Sequence, residues 1–356
     1  MDFRLTLDQI ELRDAVRDYL DGEHGPERLR RLDEQGGRDP AVWDGLVGMG
    51  LTGLLVPEEE GGLGLGLVEA ALVAIELGRA DVSEPIVDSA LVAPPFLMPE
   101  ERAKVAVGEL KAALAHPVNP WIADLDQADI LLPRQPLPDP VKLGSVDPLR
   151  RLFAPSPSTV RPERSRGARP SETEAVSASL DGSVSTSLDT NGENDILDRA
   201  ALMAAAQLIG ASERMLQLAT EYAKQREQFG QPIGAFQAVK HLLATVAVKI
   251  EFARPLALRA AWTLQEGQPR APVHISMAKL AAADAATLAA ETAIQVHGAM
   301  GYTYEVDLHY WMKRTWALAG AWGDRAFHLR RIDDAVIGGG IAIGPDQTFE
   351  SELARA

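Results

Sequence analysis

Two stretches decide how this sequence reads: REQFGQPIGAFQ at 226–237 and QVHGAMGY at 295–302. The first lies where one helical pattern ends and the next begins. Upstream of it Leu202, Ala206, Ile209, Ala219 and Ala223 share one apolar helical face. The periodicity predicts long helices over 196–225, 234–265, 272–297 and 310–336, with Gly267-Gln268-Pro269 breaking the chain between the second and third. Long antiparallel helices joined by short connections describe a bundle.

Working outward, residues 4–116 also read as helical. Thr6 can cap a helix in which Ile10, Leu12, Ala15, Val16, Tyr19 and Leu20 recur at helical spacing. Further helices are expected over Ala41–Met49 and Leu67–Arg79, separated by a Gly-rich loop at 50–66. The G-x-G pattern in that loop is no dinucleotide fingerprint, because no βαβ unit surrounds it. Composition changes near Pro117, and residues 117–192 are rich in Pro, Ser and Thr. Trp121–Asp124 and Ile130–Leu132 read as short strands. Val176, Ala178 and Leu180, an Asp181-Gly182 turn, and Val184, Thr186 and Leu188 read as a hairpin. Pro155–Thr173 is basic and Pro/Ser-rich and reads as a mobile loop, or alternatively as a basic recognition arm. The expected fold is mainly α: an N-terminal helical domain (1–116), a reduced middle β domain (117–194) and a C-terminal four-helix bundle (195–356). That order does not by itself name a function.

The bulk properties exclude several classes. A formal net charge of −16 repels nucleic acid and acidic membrane surfaces. With no cysteine, disulfides, thiolate nucleophiles and Cys-ligated metals are ruled out. The N-terminus is charged and amphipathic, and no apolar run approaches the roughly 20 residues of a membrane span. A cytoplasmic protein is the expectation.

The two opening stretches resemble the C-terminal signatures of the acyl-CoA dehydrogenase family, R-x-x-F-G-x-x-I-x-x-F-Q and Q-x-x-G-G-x-G-Y. The N-terminal D-F-x-L-T-x-x-Q-x-x-L-R and the P-E-E-E-G-G-x-G loop match that family less specifically. The resemblance implies a FAD-dependent dehydrogenase fold, with Arg226, Phe229, Ile233, Gln237, Gln295, His297, Gly298 and Ala299 as cofactor-binding residues. A guanidinium can grip two pyrophosphate oxygens at once, which suits Arg226. Phe229 offers an apolar face. Gln237 and Gln295 can donate to and accept from polar edges. Gly298 and Gly301 let a ligand approach the backbone. Each residue also has an ordinary reading: Arg226 a surface cation, Phe229 a core residue, Gln295 a cap, the glycines a C-cap turn, His297 a polar residue at a helix end. The joint pattern outweighs those singly.

The family's proton-abstracting carboxylate does not appear where the resemblance places it. Counting from Gly301, Trp322 of Ala321-Trp322-Gly323-Asp324 occupies the position of the usual Glu. Counting back from Arg226, the alternative position is Ala200. Neither side chain can accept a proton. Asp324 and Asp198 each stand two residues away, about 200° around a helix. The family's T-E-P-x-x-G-S-D loop and W-I-T strand, which hold the flavin ring, are absent too. The resemblance therefore implies a non-catalytic subunit that lends half a FAD site to a catalytic acyl-CoA dehydrogenase chain, as an α2β2 heterotetramer. The partner would bind most of the acyl-CoA, and a steroid side-chain thioester is the preferred substrate class. The alternatives are a self-sufficient homotetramer with a relocated base, such as Asp324, and a flavin-free scaffold of the same fold.

Overall fold

The computed structural model describes residues 4–134, 140–154 and 193–341. The hairpin expected at 176–188 and the loop expected at 155–173 lie outside the described residues.

The first layer is helical. Helix α1 (Leu7–Glu23) starts at a capping box: the Thr6 side chain accepts the Gln9 N–H while the Gln9 side chain reaches back to the Thr6 N–H. Helices α2 (Pro26–Glu34) and α3 (Pro40–Gly48) both begin with proline, whose missing N–H costs nothing in a first turn. Helix α4 (Leu67–Arg79) is buried along nearly its whole length. A π-helical segment, Val87–Val92, and α5 (Pro99–Ala106) complete the layer.

The small β region starts earlier than expected. Strand β1 (Ala112–Leu114) falls in a segment predicted to be helical and pairs in parallel with β3 (Ile130–Leu132). Its run Ala-Ala-Leu is too short to separate strand from helix by periodicity. Strands β2 (Ile122–Ala123), β4 (Val141–Leu143) and β5 (Leu152–Ala154) form an antiparallel sheet in the order β2-β5-β4.

The third layer is the bundle: α6 (Glu193–Gln225), α7 (Gln237–Gln265), α8 (Ala271–His297), α9 (Leu308–Gly320) and α10 (Arg325–Val336). Ala278, Ala282, Ala285, Ala286, Ala289, Ala290 and Ala293 line the buried side of α8, and such small side chains let helix axes approach closely. The crossing of α4 and α6 is tighter still: a Cβ on Gly78 would run into Gln207, and one on Gly210 into Ile75 and Arg79. This contact fixes α6 against the N-terminal layer. Trp311 of α9 reinforces the joint by donating its indole N–H to the Arg79 carbonyl at 2.9 Å. Arg314, one turn on, pairs with Asp147 and donates to the Val82 carbonyl at 3.0 Å, tying the bundle to both other layers.

The single helix expected over 310–336 is two. The break at 321–324 holds Trp322 at φ 58° and Gly323 at φ 97°, and Asp324 caps α10 by accepting the Phe327 N–H at 2.8 Å. Two successive left-handed residues cannot belong to a right-handed helix.

Candidate functional site

Helices α6 and α8 run in the same direction, with α7 returning between them, so the C-terminal ends of α6 and α8 share one end of the bundle with the start of α7. All eight residues predicted to bind a cofactor lie there.

From α6 the chain passes into a minimal hairpin. Strand β6 (Glu227–Gln228) pairs with β7 (Gln231–Pro232), leaving Phe229 and Gly230 as the two-residue turn. Both have positive φ, 54° and 78°, as a hairpin turn that matches strand twist requires. Glycine meets that demand at little cost; phenylalanine does not. Phe229 is nevertheless 91% exposed, and Phe236 lies edge-on to it at 6.1 Å. A bulky apolar ring held outward in a strained turn contributes little to the core. Arg226 closes the hairpin: its N–H donates to the Tyr222 carbonyl at 2.8 Å and its carbonyl accepts the Ile233 N–H at 2.8 Å. Its guanidinium is exposed and makes no ion pair among the described residues. Ile233 is half-buried against the core, and Gln237, the first residue of α7, is exposed.

The second segment ends α8. Gln295 and Ala299 are exposed. Gly298 adopts φ 60°, ψ −133° with open space around an added Cβ, so glycine is there for its backbone freedom. Gly301 differs: a Cβ would approach the Ile294 carbonyl oxygen to 2.8 Å. It is a packing glycine, with no room for a side chain against Ile294. His297 turns inward. It is buried, its Nδ1 donates to the Ala293 carbonyl at 2.8 Å, and its ring stacks on Tyr222 with centroids 4.3 Å apart. Burial lowers its pKa, keeping the imidazole neutral.

The turn at 321–324 lies elsewhere on the bundle. Trp322 is 4% exposed; its N–H donates to Asn119 Oδ1 at 2.9 Å, and its carbonyl accepts His328 Nε2 at 3.0 Å. The other His328 nitrogen meets Ser276 Oγ at 3.1 Å. Burial first, then the nearby Lys279, lowers the His328 pKa to about 3. Lys279 donates to the carbonyls of Leu318 (2.8 Å) and Ala319 (3.1 Å), satisfying the end of α9. Burial depresses its pKa to about 7. The sequence reading missed these props, although a lysine between Ile275, Ala278 and Ala282 on an apolar helix face was a signal that a buried cation needed acceptors.

The two other carboxylates near the expected base positions are both engaged. Asp324 is the N-cap of α10. Asp198 is buried, pairs with Arg331 at 2.8 Å, and has its pKa raised by that burial. Ala200 lies in the core of α6.

Comparison with known proteins fixes the family. Residues 6–98 match the profile for "Acyl-CoA dehydrogenase, N-terminal domain" and residues 194–337 that for "Acyl-CoA dehydrogenase, C-terminal domain". Acyl-CoA dehydrogenase IpdE2 of Mycobacterium tuberculosis is 33% identical over 332 residues, covering 91% of this chain and 96% of that protein. The chain belongs to the acyl-CoA dehydrogenase family. Its fold superposes on a chain of the ChsE4-ChsE5 complex from Mycobacterium tuberculosis (TM-score 0.75, 24% identity, covering 94% of this chain and 98% of that one). It also superposes on a chain of the Tcur3481-Tcur3483 steroid ACAD, G363A variant (TM-score 0.74, 19% identity, 94% and 98% covered). Among the described residues no helix is long and apolar enough to cross a membrane, and no cluster of His, Asp or Glu could hold a metal ion.

Proposed function

We infer that this chain is the non-catalytic subunit of a heteromeric acyl-CoA dehydrogenase, completing a FAD site whose ring-binding half and catalytic base belong to a partner chain. The observation that carries this is the contrast between the two sites. One end of the bundle presents a strained, exposed Phe229 beside a guanidinium with no ion-pair partner among the described residues, while the usual base position holds a buried tryptophan.

The residues at the bundle end suit the nucleotide part of FAD. Arg226 would grip the pyrophosphate, Phe229 would cover an apolar portion, and the Gln237 and Gln295 amides would meet polar edges. The backbone at Gly298 and Ala299 would pass close to the ligand, and Ile233 would support the hairpin from behind. When bound, FAD supplies the acceptor for the hydride that leaves the β-carbon of an acyl-CoA. This chain's own part is to bind and orient, since the proton on the α-carbon needs a carboxylate base. The engagement of Asp324 as a cap and of Asp198 with Arg331 weighs against a relocated base here.

A partner is supported by a second feature. Beyond Phe229, helix α7 exposes Leu242, Val248 and Phe252, the last at 70%. Val248 and Phe252 stand one turn apart on the same face, and exposed apolar side chains so placed suit an association surface. The similarity to chains of a two-component complex and of a steroid ACAD supports a partner chain and a steroid-derived substrate; the assembly we infer is α2β2, acting on a steroid side-chain CoA thioester bound mainly by the partner. The test is to purify the chain alone and co-expressed with its candidate partner, then assay acyl-CoA desaturation. Activity should require both chains; full turnover by this chain alone contradicts the reading.

A further inference from the structure

The two segments proposed to hold the nucleotide lie far apart in sequence, and one pair of side chains spans them. Tyr222, in the last turn of α6, stacks on His297, the last residue of α8, with ring planes inclined at 27°. Each ring is tied to one half of the surface. The Tyr222 carbonyl accepts the Arg226 N–H, and through Arg226 and Ile233 it anchors the Phe229 hairpin. On the other side, the His297 Nδ1 bond to the Ala293 carbonyl fixes the ring plane, and Gly298 follows directly. Gly234 adds a second brace, since a Cβ there would meet the Ala223 carbonyl oxygen at 3.0 Å.

We propose that Tyr222 is a positioning residue for the bound nucleotide: its stack on His297 holds the Arg226–Phe229 hairpin and the Gln295–Ala299 turn at the fixed separation that one ligand must bridge. This rests on the reading that this end of the bundle holds the nucleotide part of FAD. The class of ligand that needs such a clasp is an extended dinucleotide, anionic at its centre and aromatic at its end. His297 therefore acts through the fold rather than by touching the ligand, with its ring already committed to Tyr222 and Ala293.

A role in packing alone and a role in positioning differ in what substitution does. Tyr222→Phe keeps the ring and should leave FAD affinity within about twofold. Tyr222→Leu fills much of the volume without fixing the mutual orientation, and should weaken FAD by roughly two- to tenfold, the size of a lost stacked pair. His297→Gln, which keeps a donor within reach of the Ala293 carbonyl, removes the stack from the other side and should do the same. The double variant should be no worse than either single one, because both remove the same contact. The measurement is titration of the FAD-stripped complex of this chain and its catalytic partner with FAD, followed by flavin fluorescence. Thermal unfolding of the complex serves as a check on the fold. Unaltered FAD affinity in both Tyr222→Leu and His297→Gln, with affinity lost in Arg226→Ala, overturns the clasp and leaves the site reading standing. Additive losses in the double variant also overturn it. Unaltered affinity in Arg226→Ala overturns the site reading itself.

Discussion

Replacing Phe229 by glycine should separate stability from function. A non-glycine residue at left-handed φ carries a strain of about 1–2 kcal/mol, which glycine relieves. The ring is 91% exposed, so little apolar burial is lost with it. Its edge-on contact with Phe236 at 6.1 Å accounts for about 0.5–1.5 kcal/mol at most. Glycine's extra freedom in the unfolded chain costs about 0.5–1 kcal/mol. These terms nearly cancel, so the isolated chain should unfold within about 1 kcal/mol of wild type, a Tm shift of no more than about 3 °C. FAD affinity of the assembled complex should fall in the same variant, because the covering aromatic face is gone. Chemical unfolding of the chain and FAD titration of the complex read the two effects independently. A destabilisation above about 2 kcal/mol would refute the claim that the hairpin tip has no structural task. Unchanged FAD affinity would refute the functional one.

Other expectations follow from the same geometry. Trp322→Ala should destabilise the chain by about 3–5 kcal/mol in urea unfolding, as for any large aromatic side chain removed from a packed site. Asp324→Asn should keep the α10 cap and the activity of the complex, while Asp324→Ala costs about 1 kcal/mol of stability with activity likewise kept; loss of turnover in the Asn variant would revive Asp324 as a base. Gly301→Ala should destabilise by about 1–3 kcal/mol through overpacking against Ile294, detectable as a lowered Tm. His24 is buried, and that burial first, then the nearby Arg28, lowers its pKa to about 4. It must be neutral in the folded chain but protonates near 6.5 when unfolded, so its share of stability is present above pH 6.5 and is lost as pH falls toward 4. Comparing wild type with His24→Gln at pH 7 and pH 4.5 should show the wild type losing more stability on acidification than the variant.

Much of this was legible in the sequence, for reasons that can be named. Helices α6, α7 and α8 announce themselves through long apolar periodicity, and α4 through its apolar run between glycines. The Arg226 and Gln295 segments could be placed because each matches a family signature at the end of a helical pattern, whereas the hairpin at 227–232 was not foreseen. The break at Trp322 was not legible. The apolar pattern continues across it, and the left-handed tryptophan is imposed by Asn119 and His328, which arrive from other elements. Three-residue strands such as β1, β4 and β5 are likewise set by pairing partners rather than by their own sequence. The role of His297 was hidden for the same reason. Its inward turn depends on Tyr222, which only the packing of α6 on α8 brings within reach.

The shared flavin site is tested most directly by the flavin-to-protein ratio of the purified complex, read from flavin absorbance against quantified chains. The account predicts one FAD for each pair consisting of this chain and its partner, none on this chain alone, and loss of that FAD when Arg226 is replaced by alanine. One FAD per chain, or a full complement retained in the Arg226→Ala complex, would contradict it.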